Sequence, residues 1–79
     1  MGGLGKERAE ARSAFETASN LFKDKRKAFR DALKSLHESV SPDEKPAAYQ
    51  RAKEAYSDLD DAADQQFAAY ARLIASLRS

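Results

Sequence analysis

The amino-acid sequence predicts an all-α protein: two long antiparallel helices forming a helical hairpin, completed as a four-helix bundle by dimerisation. Three observations lead there. Glycine is absent after position 5 and both prolines fall in one stretch, SPDEKP at 41 to 46, so the chain has a single break. Upstream of the break, residues 6 to 40 are rich in Ala, Lys, Arg, Glu and Leu, residues that lose little freedom in a helix. Six of the seven aromatic residues recur at one position of a seven-residue repeat, the spacing of helices that pack along their length.

The opening MGGLG, 1 to 5, reads as a flexible lead. Its glycine at position 2 would suit N-myristoylation, but the Ser/Thr that this signal needs at position 6 is Lys6. The first helix is expected over about 6 to 40. With Phe15 set as position a of the heptad, Phe15, Phe22, Phe29 and Leu36 occupy a, Ala11, Ala18 and Ala32 occupy d, and Leu33 and Val40 lie beside them at e. Lys25 also falls at d, where a polar residue in an apolar seam more often fixes register than performs chemistry. The turn, about 41 to 46, holds a helix start: Ser41 as N-cap, Pro42 at the first helical position and Glu44 three residues on as a capping box. Pro46 conflicts with a helix already regular there, so either the first turn is loose or the cap is Asp43. The second helix is expected over about 47 to 78, with Tyr49, Tyr56, Ala63, Tyr70 and Leu77 at a and Ala52, Leu59 and Leu73 at d.

The expected association seam is therefore Phe15, Phe22, Phe29, Leu36, Tyr49, Tyr56, Leu59, Tyr70, Leu73 and Leu77. Alanine precedes five of the aromatics, so small residues at g lie beside large ones at a and let antiparallel backbones approach. A short turn between long helices sets positions whose numbers sum to about 88 face to face, bringing Phe29 near Leu59 and Phe15 near Leu73. The same register lays the basic block KDKRK, 23 to 27, beside the acidic block DLDDAAD, 58 to 64, and predicts pairing of Arg26, Lys27 and Arg30 with Asp58, Asp60 and Asp61 in the folded hairpin or across its dimer.

Size and composition narrow the function. A chain of 79 residues buries only part of its unfolded surface alone, and without cysteine or more than one histidine it has neither disulfides nor the usual zinc sets to help. Self-association, as a homodimer or higher oligomer, or another helical protein must supply the remainder. His37 falls at an outward position and no Glu-x-x-His accompanies it, so no carboxylate-bridged dimetal site is expected. No nucleophile, base and orienting group can be assembled and no glycine-rich loop cradles phosphate, so the expectation is a protein without enzymatic activity, cofactor or metal.

The net charge of +1 leaves no overall attraction to nucleic acid or an anionic membrane. Lys23, Lys27, Arg30 and Lys34 do form a basic stripe and are the candidate phosphate contacts of the alternative reading, a nucleic-acid-binding hairpin. No aromatic is interleaved on that face to stack bases. The apolar runs are shorter than the roughly 20 residues of a membrane span, and the expected compartment is the cytoplasm. The stretch SPDEKPAAYQRAKEAY, 41 to 56, resembles the turn and second-helix start of bacterial type III secretion needle subunits, helical hairpins with a proline-bearing turn followed by a Tyr-Gln pair. That resemblance implies a third reading, a filament-forming subunit. The leading expectation is a self-associating helical scaffold or protein–protein interaction module.

Overall fold

The computed structural model describes residues 2 to 78, and side-chain surroundings from residue 5 to 78. Helix α1 (Gly2–Glu38) and helix α2 (Glu44–Arg78) lie antiparallel along their length. The hairpin measures 63 × 13 × 12 Å across its Cα atoms. Gly2 to Gly5, in the stretch expected as a lead, are the first residues of α1.

Serines shape the turn. The Ser39 amide donates to the Ser35 carbonyl at 3.0 Å and its hydroxyl donates to the same oxygen at 2.8 Å, which satisfies a helix-end carbonyl without a glycine. Val40 is then outside the helix and 88% exposed, so α1 stops two residues short of the expected end. On the far side, the Ser41 hydroxyl accepts from the Asp43 amide at 3.3 Å, and the Ser41 carbonyl accepts from the amides of Glu44 and Lys45 at 3.1 and 3.2 Å. Ser41 is thus the cap. Regular helix begins at Glu44, three residues earlier than expected, with Pro46 in its first turn, where the missing N–H forgoes one bond, to the Pro42 carbonyl in the turn. Ser41→Ala should lower stability by about 1 kcal/mol in chemical denaturation. A change within error would mean that Pro42 alone sets the helix start.

The two helices present different seams. On α1 the heptad a and d positions face inward as expected: Ala11 and Ala18 are buried, and Phe15, Phe22, Lys25, Phe29, Ala32 and Leu36 are half-buried. On α2 the inward row is Ala48, Ala52, Ala55, Leu59, Ala62, Gln66, Ala69, Leu73 and Ser76, which is d and g rather than a and d. Helix α2 is turned about its axis by roughly 60° from the expected orientation. The cause is side-chain size. Tyrosines set directly against the α1 phenylalanines would hold two lone helices apart, whereas alanines at g let the backbones close and leave each ring a flat surface to cover.

The tyrosines pack beside the seam instead. Phe15 meets Tyr70, and Phe29 meets Tyr56, each with ring centroids 5.5 Å apart and planes tilted by 56° and 60°. Between them Gln66 Nε2 donates to Ser19 Oγ at 3.2 Å. These three pairs share one register in which residue numbers sum to 85, so the helices are slid by roughly 4.5 Å from the expected pairing at about 88.

Candidate functional site

Among the described residues no large side chain is fully buried, and the buried apolar residues are all alanines: Ala11, Ala18, Ala48, Ala52 and Ala62. The larger apolar groups gather on one side. Of the exposed ones, all but Val40 belong to α2: Tyr49, Tyr56, Tyr70 and Leu77 at heptad position a, Phe67 and Ile74 at the adjacent e. Turning α2 to put alanine in the seam carries these side chains to the flank together. They form a stripe roughly 40 Å long at 1.5 Å per residue. The tyrosines are 50 to 58% exposed and Phe67 is 73% exposed, far more than rings in a finished core.

Where the stripe meets α1, the surface is concave. Near the turn Phe29, Leu33, Leu36, Tyr49, Ala52, Lys53 and Tyr56 line an open apolar groove. The Lys53 ammonium stands 5.7 Å from the centre of the Tyr49 ring, inside cation–π range, so its stem lies along the groove wall. Farther along, Phe15, Gln66, Phe67 and Tyr70 line a second depression. The opposite side of the hairpin is mixed, with Glu10, Ser13, Thr17 and Gln65 beside Ala14, Ala18, Leu21 and Ala69 on one groove and Ser35, Ser39, Asp43, Glu44 and Arg51 beside two alanines on another, and no aromatic on either.

The expected seam residues therefore separate into two sets. Phe15, Phe22, Phe29, Leu36, Leu59 and Leu73 lie half-buried between the helices, while Tyr49, Tyr56, Tyr70 and Leu77 stand on the exposed stripe. Ile74, unremarked in the sequence, belongs to the stripe, and its place seven residues after Phe67 was the signal for it.

Charges are arranged otherwise than expected. The only ion pairs within 4 Å among the described residues are those of Arg72, to Glu7 at 3.1 Å and to Glu10 at 3.6 Å. Arg26, Lys27 and Arg30 thus make no ion pair with Asp58, Asp60 or Asp61 inside the hairpin. The blocks stand at a similar level along its axis, but Arg26, Lys27, Asp60 and Asp61 are all exposed. At the open end, Arg8 Nε donates to the Ser76 carbonyl at 3.3 Å, meeting one of the unsatisfied carbonyls of the α2 C-terminus. The Arg72 pairs are about half exposed and are worth about 0.2 to 1 kcal/mol.

Lys23, Lys27, Arg30 and Lys34 are exposed on the side of α1 away from α2. The exposed rings all lie on α2, so that basic stripe and any base-stacking surface are on different faces. His37 is exposed and Lys25 is half-buried in the seam. Among the described residues no group of three His, Asp or Glu side chains is placed to hold a metal ion. Among the described residues no helix is long and apolar enough to cross a membrane. Comparison with known protein families, with curated proteins and with solved structures finds no match.

Proposed function

We propose that this protein is a non-enzymatic helical association module that works by covering the aromatic stripe of α2 with another helical surface, first of all its own. The observation that carries this reading is that, among the described residues, no large side chain is fully buried while six large apolar ones stand exposed together on α2. Such a contiguous patch on a small protein marks an interaction site. Shape agrees. The radius of gyration is 17.9 Å, against about 12 Å for a compact domain of this length. A hairpin of two layers lacks the second face that would close its core, and a four-helix bundle supplies it.

The nucleic-acid reading has less support, because the basic stripe carries no aromatic and the rings face elsewhere. A filament differs from the bundle only in whether the repeated contact closes.

Sedimentation tests the reading. The chain is expected to travel above its monomer mass of 8.7 kDa at micromolar concentration, and its melting temperature should rise with concentration because association stabilises only the folded state. A monomer whose melting temperature is independent of concentration from micromolar to millimolar would sink the proposal.

A further inference from the structure

We infer that the occupant of the aromatic stripe is a second copy of this chain, with its α2 laid antiparallel on α2 about a two-fold axis that crosses the stripe at Ala63. The inference rests on the self-association reading above and adds the partner and its arrangement. Three observations carry it.

The first is area. The hairpin exposes 6005 Å², whereas a compact monomer of its mass exposes about 4,700 Å². The excess, about 1,300 Å², exceeds the roughly 800 Å² that each partner loses in a standard stable interface. One interface of ordinary to generous size brings this chain to the surface of a well-folded protein, and a single copy of itself can provide it.

The second is the order of residues along the stripe. At position a, in seven-residue steps, stand Tyr49, Tyr56, Ala63, Tyr70 and Leu77. Read backwards from Ala63 the sizes repeat: large, large, small, large, large. An isologous interface needs a surface that matches its own reverse, since each residue meets its counterpart from the other end. Reversal about Ala63 sets Tyr56 against Tyr70 and Tyr49 against Leu77, and puts the smallest residue at the axis, where the backbones come nearest. Lys53 and Asp60, at position e, fall on the outer rim of that contact, where charge stays hydrated.

The third is the lopsided distribution of apolar surface. The other two-fold arrangement, with the axis parallel to the helices, sets α2 on the partner's α1. That would set Tyr49, Tyr56 and Tyr70 at the level of Leu36, Phe29 and Phe15, but would lay the exposed Phe67, Ile74 and Leu77 at the level of Ser19, Arg12 and Arg8, which are polar. The α2-on-α2 arrangement covers the whole position-a row, Tyr49 to Leu77, with the same apolar row reversed, and leaves Ile74 beside Lys53 and Phe67 beside Asp60 at its rim. In that arrangement the α1 helices cross near Phe22, so that Arg12 faces Leu33 and Ser19 faces Arg26, with no like charges opposed.

The chain contains no cysteine, so single cysteines report the arrangement directly. Under mild oxidation Ala63→Cys should convert most of the protein to a disulfide-linked species of about twice the monomer mass, because the two sulfurs meet at the axis. Tyr49→Cys alone should remain unlinked, its two copies lying at opposite ends of the dimer. Mixed with Leu77→Cys it should give the crosslinked heterodimer. Where loss of a tyrosine weakens association, the rim pair Lys53→Cys with Ile74→Cys asks the same question. Each variant is checked for unchanged helicity by circular dichroism. If wild-type protein sediments as a dimer but Ala63→Cys does not link, or Tyr49→Cys links to itself, the antiparallel arrangement is wrong and self-association stands. If wild-type protein stays monomeric at every concentration, both fall.

Discussion

Phe22→Ala is expected to lower the stability of the protein by about 3 kcal/mol, the low end of the range for a buried phenylalanine, since the ring is half-buried within one hairpin. Phe22 lies at the middle of α1, and the register places it level with Ala62 and Ala63 on α2. No tyrosine flanks it, unlike Phe15 and Phe29, each of which has a ring partner 5.5 Å away. With alanine at 22, three small side chains meet in one layer. A protein of 79 residues has about 4 to 12 kcal/mol of total stability, so the loss is a large share of it. Urea denaturation at fixed protein concentration measures the effect. A loss under about 1 kcal/mol would show that the central layer carries little of the folding energy, and that the turn and the open end, where Arg8 and Arg72 reach across, hold the hairpin instead.

The hairpin itself was legible because its signals are local and agree with one another. One proline-bearing break, a serine cap and a heptad that starts again after the turn each follow from short-range chemistry. The α1 seam was legible for the same reason: its phenylalanines and alanines sit at a and d and nothing competes with them. What a sequence pattern cannot supply is the choice between two adjacent apolar rows. On α2 the tyrosines at a and the alanines at g both repeat every seven residues, and hydrophobicity favours the tyrosines. Packing between two lone helices favours the alanines, because interaxial distance is set by side-chain bulk on the facing row. The pairing at 85 rather than about 88 follows from the same turn of α2, since Tyr56 and Tyr70 settle against the flanks of Phe29 and Phe15 and fix the slide. The ion pairs were illegible for another reason. Arg72 reaches Glu7 and Glu10 from the far end of the chain, and long exposed side chains take whichever partner the backbone brings near.

The rotation of α2 can be tested at neighbouring alanines. Ala62 is 2% exposed in the seam, whereas Ala68, less than two turns along, is exposed on the outer face. Both changes to leucine replace one good helix former with another, so propensity contributes almost nothing to the difference. Leucine at 62 adds three carbons at a buried seam position, close to the level of Phe22. Either the helices spread, unseating the tyrosines from Phe15 and Phe29, or the new side chain takes a strained rotamer. Overpacking of this kind costs about 1 to 3 kcal/mol. Ala68→Leu meets only solvent and should stay within about 0.5 kcal/mol of the parent. Thermal or urea unfolding of the two variants side by side gives the comparison. If the seam ran instead along a and d, Ala62 would sit at its edge and a leucine there would have room to lie outward. A neutral Ala62→Leu would therefore return the tyrosines to the space between the helices and remove the exposed stripe on which the association surface depends. A selective loss at 62 places alanine in the seam, and six large apolar side chains of α2 are then left facing outward for a partner to cover.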